Sequence, residues 1–271
     1  AVLSYESMTD ELTFVFGPVI VGVAAVAWGT VSPVVGAAIL TAVGITAFAL
    51  HRSAQYAQGR TDPRPGTAPQ ITATAEADPA ALLFRPVVLL PVGGMTCIGL
   101  FFGSTLTSLT AFMETLGQAD ATGILYGVMG VGSAICALSV AALPEAFRLR
   151  ARWLVFAALT LAGCLLYTQG QTLTVFVIAL LIMGCGVGPT LVTLFAIASQ
   201  HAPAGRLTTV MAMMSTGVVV GQSASSALSG TLLDGAGLAV GLWGPAASAA
   251  LLVALGLAYH WTAPRTRRSR T

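Results

Sequence analysis

Apolar residues run in long stretches along this chain, and the charged ones collect between them. A helix needs about 20 apolar residues to cross the hydrocarbon core of a bilayer. Eight stretches approach or exceed that length: Leu12–Thr30, Pro33–Leu50, Val87–Phe112, Ala121–Leu143, Trp153–Gln169, Leu173–Gln200, Leu207–Leu233 and Val240–Trp261. Backbone polar groups cannot stay unpaired in lipid, so such stretches are predicted to be helices. The alternation expected of a membrane β-barrel is absent. The expected fold class is all-α, a polytopic bundle of eight transmembrane helices. Val31-Ser32-Pro33 and Gly170-Gln171-Thr172 are little more than turns and predict tight antiparallel pairs. Residues 51–86 stand apart. They hold Pro63, Pro65, Pro69, Pro79 and Pro86, with Asp62, Glu76 and Asp78, and are predicted to form a largely disordered loop. The loop divides the chain into two helices (1–50) and six (87–261), followed by a basic tail (262–271).

Composition removes the soluble class. Only 8% of the 271 residues are charged, against roughly 25% in soluble domains. All 12 basic residues are arginines, and their placement is one-sided. Arg52, Arg60, Arg64 and Arg85 lie between the second and third spans. Arg148, Arg150 and Arg152 follow the fourth, Arg206 follows the sixth, and Arg265, Arg267, Arg268 and Arg270 form the tail. The alternate gaps hold none. By the positive-inside rule that side is cytoplasmic and both termini lie there, in the plasma membrane of a cell. A net charge of +2 says little about nucleic acid, the dispersed arginines read as a topology signal rather than a binding stripe, and no nucleic-acid partner is expected. His51, His201 and His260 each end a span on the arginine side. Trp28 and Trp243 fall at the opposite ends, Trp153 and Trp261 at the arginine ends, as an aromatic belt requires.

Little here points to catalysis. Cys97, Cys136, Cys164 and Cys185 lie in apolar runs without a C-x-x-C pair and read as packing residues. The histidines are scattered, H-E-x-x-H is absent, and no span holds a carboxylate dyad, so no metal, cofactor or enzyme activity is expected. Polar residues inside spans are the binding candidates: Thr96, Ser104, Thr105 and Ser108 in the third span, Gln222 and Ser223 in the seventh. Gln222, with an amide donor and acceptor, can orient a ligand or bridge two helices. Gly184, Gly186, Gly188 and Pro189 make the sixth span either a hinge or a close-packing face.

Two spans, a long loop, six spans and a basic tail resemble a major facilitator superfamily transporter lacking its first four helices. Gly17, Pro18 and Gly22 in the first span resemble the helix-five motif of the family's bacterial drug-efflux members, with Thr13 and Val21 where that motif has glycines. The loop Pro144–Arg152 lies where the family carries a basic loop motif. The resemblance implies helices five to twelve of the fold, alternating-access transport of a small molecule, efflux as its direction, and a monomer in the bilayer. It also implies an inner gate in which Asp10 and Glu11 meet Arg148, Arg150 and Arg152. Glu114, Asp120 and Asp234 fall outside the spans. A proton as coupling ion therefore calls for an ionisable group in helices beyond this sequence. The chain begins with Ala rather than Met and is expected to start inside a longer protein. The rival expectations are a truncated protein that inserts without transporting, and a membrane-embedded enzyme.

Overall fold

The computed structural model describes Ile20, Ala24, Ala27, Trp28 and residues 31–50, 78–140, 143–144, 147–170 and 172–262. Helix α1 is Ser32–Leu50, apolar and exposed over nearly all of its length. A 3-10 turn, Ala80–Phe84, leads into α2, Pro86–Thr115. Then follow α3 (Thr122–Ser139), α4 (Leu149–Thr168), α5 (Leu173–His201), α6 (Leu207–Ala236) and α7 (Trp243–Thr262), the last entered through a short turn, Leu238–Gly241. Six helices, α2 to α7 with their leading turns, are long and apolar enough to cross a membrane. The described residues thus carry six crossings of the eight expected, and most of Leu12–Thr30 lies outside them.

Helix ends follow local chemistry. Pro86 opens α2 at a position where its missing N–H costs nothing. At 30 residues α2 is about 45 Å long, more than a bilayer core of about 30 Å needs. Gly237, at φ +79°, adopts a conformation costly for any side chain and ends α6 by donating its N–H to the Leu233 carbonyl. Helix α4 starts at Leu149, four residues ahead of the expected Trp153, because its arginines find partners. Arg152 Nε donates to the Phe147 carbonyl at 2.7 Å, and its guanidinium lies 5.8 Å from the Phe147 ring. Arg150 lies over the Tyr259 ring of α7 at 5.9 Å. The end of the stretch expected to be disordered is ordered from Asp78 onward, with Leu83 buried.

The neighbours form a symmetric pattern. Helix α2 packs most extensively on α6, and α5 on α3 and α4, while α7 bridges α2 and α4. Exchanging α2 with α5, α3 with α6 and α4 with α7 maps these pairs onto one another, as in an internal structural repeat. Both principal seams are lined by glycine. A methyl group on Gly99 would collide with the Val218 carbonyl, and one on Gly221 with the Thr96 carbonyl. Across the other seam, Gly184 and Gly188 lie against the Met129 and Ser133 carbonyls, while Gly186 faces Thr160 of α4. Gly99 and Gly103, Gly217 and Gly221, and Gly184 and Gly188 are each four residues apart. That spacing puts both members of a pair on one face and lets backbones approach.

Aromatic side chains fill the space beside the seams. Phe112 stacks on Phe176 at 4.0 Å, and Tyr167 meets Phe176 edge-on at 4.8 Å. The Tyr167 hydroxyl lies 3.1 Å from Ser108 Oγ and 3.4 Å from the Thr105 carbonyl. Ser108 directs its own proton to the Ser104 carbonyl at 2.7 Å, which makes Tyr167 the donor to Ser108. Trp153 is not a belt residue. It is 0% exposed, its indole seated between Gly94 of α2 and Gly256 of α7 and tilted against Tyr259. The two missing side chains make the slot, and Nε1 has no hydrogen-bond partner there.

Two stability outcomes follow. Gly184→Val should destabilise the bundle by at least about 3 kcal/mol, the upper end of overpacking costs, because its obstacle is backbone. Gly230→Ala, with nothing within 4 Å of the added carbon, should be neutral or stabilise by about 0.5–1 kcal/mol. Denaturant titration in mixed micelles measures both, and equal effects would contradict the seam. Tyr167→Phe should cost about 0.6–1.7 kcal/mol, the range for interhelical hydrogen bonds in membranes. A double-mutant cycle with Ser108→Ala should show coupling, and strict additivity would remove the bond from consideration.

Candidate functional site

Polar side chains in a membrane helix must find partners, and the helices differ in where they find them. In α2 the hydroxyls turn inward on their own backbone. Thr96 donates to the Val92 carbonyl, Ser104 to Leu100, Thr105 to Phe101, Thr107 to Gly103 and Thr110 to Leu106. Thr105 and Ser108 are fully buried beside Tyr167. Thr96 sits in the α2–α6 seam against Gly217, and Ser104 faces Gly244 at the start of α7. These four candidates occupy the interior of the six-helix unit.

Helix α6 behaves differently. Ser215, Thr216 and Ser223 are exposed, and Gln222 is half-buried beside the seam. Among the described residues none of these four side chains makes a hydrogen bond. Thr208-Thr209, Ser215-Thr216 and Gln222-Ser223 recur at intervals of seven and so fall on one face. The adjoining exposed edge holds Val220, Ala224 and Leu228. Away from the helix ends, large exposed side chains on three other spans are apolar: Ile124, Val131, Ile135 and Leu138 on α3, Val155 and Leu159 on α4, Ile178 and Leu181 on α5. Those surfaces suit lipid, whereas the α6 stripe does not. Of the six spans, α6 is the least apolar.

The structure therefore brings Gln222 and Ser223 together on an accessible face and separates them from Thr105 and Ser108. Thr216 and Tyr167 were not among the sequence candidates. The seven-residue recurrence of polar pairs was the available signal for Thr216. Nothing local marks Tyr167, whose partners lie on another helix.

The remaining candidates divide by place. Gly184, Gly186 and Gly188 grip α3 and α4, and Pro189 lies within an unbroken α5. Arg150 and Arg152 are engaged within their own half, as above, whereas Arg148 is exposed at the α4 N-cap. Asp10, Glu11, Gly17, Pro18 and Gly22 lie outside the described residues. The arginine-bearing ends meet: His201 and Trp153 both contact Tyr259, and the His201 Nδ1–H donates to the Ile197 carbonyl at 2.9 Å. Among the described residues no carboxylate lies deep in a span, and no group of three or more metal-ligating side chains is present.

Comparison with known proteins agrees with this geometry. The family model described as Major Facilitator Superfamily matches residues 1–225 and, in a second and overlapping match, residues 92–271. No curated protein and no solved structure matches the chain. The two family matches span the sequence from end to end, and the chain belongs to the major facilitator superfamily, a family of membrane transporters rather than enzymes.

Proposed function

We propose that this chain carries a small molecule across the membrane by alternating access, in the outward direction, with the polar face of α6 on the translocation path. The observation that carries the reading is the set of polar groups without hydrogen bonds along that face, where the middle of α3, α4 and α5 exposes large apolar side chains. A hydroxyl or amide facing hydrocarbon without a partner is costly, so such a face belongs against water, solute or another helix layer. Gln222 offers both a donor and an acceptor to a solute, with Ser223, Ser215 and Thr216 beside it. The hydroxyls of Thr96, Ser104, Thr105 and Ser108 are committed within the bundle and support the wall rather than touch the solute.

Outward transport rests on the resemblance carried by Gly17, Pro18 and Gly22, and the cytoplasmic face on the placement of the arginines. At that face Arg148 is the gate arginine, free to meet Asp10 or Glu11 when the inner side closes. Such rim-exposed pairs are worth about 0–1 kcal/mol each, which suits contacts that must break in every cycle. Pro189 cannot donate to the Cys185 carbonyl, which makes Gly184–Pro189 the bend point of α5. Without a carboxylate inside these spans, proton coupling is a task for residues elsewhere.

Accessibility in oriented vesicles tests the reading directly. Ser223→Cys and Ser215→Cys should react with a hydrophilic maleimide at least about tenfold faster than Val131→Cys or Leu138→Cys, because thiols buried in lipid do not ionise. Equal rates at the four positions would remove α6 from the path. In flux assays on a panel of small labelled solutes, Gln222→Ala should lower transport at least about fivefold, for loss of about 1 kcal/mol or more of solute contact. Gly230→Ala should leave transport unchanged. Unchanged flux in Gln222→Ala would sink the assignment of that residue.

A further inference from the structure

Arg206 does more than mark a membrane face. The connection from α5 to α6 runs Ala202-Pro203-Ala204-Gly205-Arg206, turned by Gly205 at φ +72° and closed by the Arg206 N–H on the Pro203 carbonyl at 3.0 Å. Asp78, well over one hundred residues earlier, is fastened to this turn from both sides. Its backbone N–H donates to the Ala204 carbonyl at 3.1 Å, and its Oδ2 accepts from the Ala204 N–H at 2.8 Å. Arg206 Nε donates to the Asp78 carbonyl. From Asp78 the chain passes through Pro79 and the 3-10 turn Ala80–Phe84, with Leu83 tucked into the core, directly into α2. Nine residues thus form a short strap between the α5–α6 turn and the first turn of α2.

The strap's position gives it a consequence. Helix α2 is sealed to α6 along one glycine seam, and α5 to α3 and α4 along the other. The α2–α5 and α5–α6 contacts are much lighter than either seam. The six helices therefore comprise two tightly packed groups, α2 with α6 and α3 with α4 and α5, in light contact along α5 and bridged by α7, which packs on both α2 and α4. The strap crosses that boundary at the arginine-bearing end. The residues that connect the two halves of the chain end at Asp78, so any pull they transmit reaches the α5–α6 turn before it reaches α2.

We infer that Asp78 and Arg206 form a strap that clamps the two helix groups together at the arginine-bearing end and anchors the preceding inter-half segment to the α5–α6 turn. Its parts act separately. The Asp78 carboxylate holds the turn through Ala204, and Arg206 holds the strap through a backbone carbonyl. Loss of either opens the clamp, while an amide at position 78 keeps an acceptor oxygen and preserves it. The strap holds independently of what the protein carries.

The test uses the full chain in lipid nanodiscs. Hydrogen exchange of the 202–207 segment should speed by about tenfold or more in Asp78→Ala, as expected when a hydrogen bond to a charged group is lost. Asp78→Asn should stay within about threefold of the parent, since it keeps a neutral acceptor. In Arg206→Gln the 78–85 segment should speed by a similar factor. Exchange in α3 around Met129–Ser133 should stay unchanged in all three, which separates strap opening from unfolding. Spin labels at Ala80→Cys and Thr208→Cys, with the native cysteines replaced by alanine, should give one narrow distance distribution in the parent. Asp78→Ala and Arg206→Gln should broaden it. The strap is overturned if 202–207 exchange is unchanged in Asp78→Ala, or if the distance distribution is unchanged in both open variants. Should Asp78→Ala fail to fold, the contrast between Asp78→Asn and Arg206→Gln decides by the same two measurements.

Discussion

Helices in lipid gain little by burying apolar surface against each other, because the tails they displace are equally apolar. What remains is close approach, and in this protein glycine supplies it. At Gly99, Gly103 and Gly221 the α2 and α6 backbones come close enough that no side chain fits, and Gly184 and Gly188 do the same for α5 on α3. The large residues can then fill the spaces left between seams. Trp153 enters a slot that exists only because Gly94 and Gly256 lack side chains, and the Phe112–Phe176–Tyr167 cluster closes the opposite end.

The same closeness sorts the polar groups. A hydroxyl caught in a tight seam has its own helix as nearest partner, and the α2 threonines and serines take that route. Back-bonding of this kind commits the hydroxyl proton and leaves only the oxygen's lone pairs to accept from another group. Helix α6 meets α2 through its glycines and turns its polar pairs away, to a face that nothing among the described residues covers. One residue type therefore has two meanings within one bundle: hidden in α2, available in α6. Such a face suits one wall of the path proposed above.

Much of this was legible in the sequence, and the failures have physical causes. Span positions are a one-dimensional property of apolar length, and α2, α5 and α6 begin within a residue of expectation. The start of α4 was misplaced because a basic residue reads as a helix boundary until Tyr259 and the Phe147 carbonyl are seen to receive it. Trp153 was assigned to the interface because its slot is built from helices 59 residues before it and 103 after it, at Gly94 and Gly256. The polarity of Thr105 and Ser108 within a span is visible in sequence, while their burial and back-bonding are not. The polar pairs of α6 carried a heptad signal that counting polar residues one by one overlooks.

The glycine segment of α5 brings these constraints together. Gly184 and Gly188 are held by α3 and Gly186 by α4, so a bend at Pro189 cannot be local. Packed interfaces move as units or separate; they do not deform continuously. Bending α5 therefore carries α3 and α4 with it, against the lighter contacts between α5 and the α2–α6 pair and against the packing of α7 on α2 and α4. That boundary is crossed at the arginine end by the residues joining Asp78 to α2. A protein of this construction places its polar face on one group and the Gly184–Pro189 segment on the other. Relative motion of the two groups would then reshape the wall that Gln222 presents, while both glycine seams stay closed.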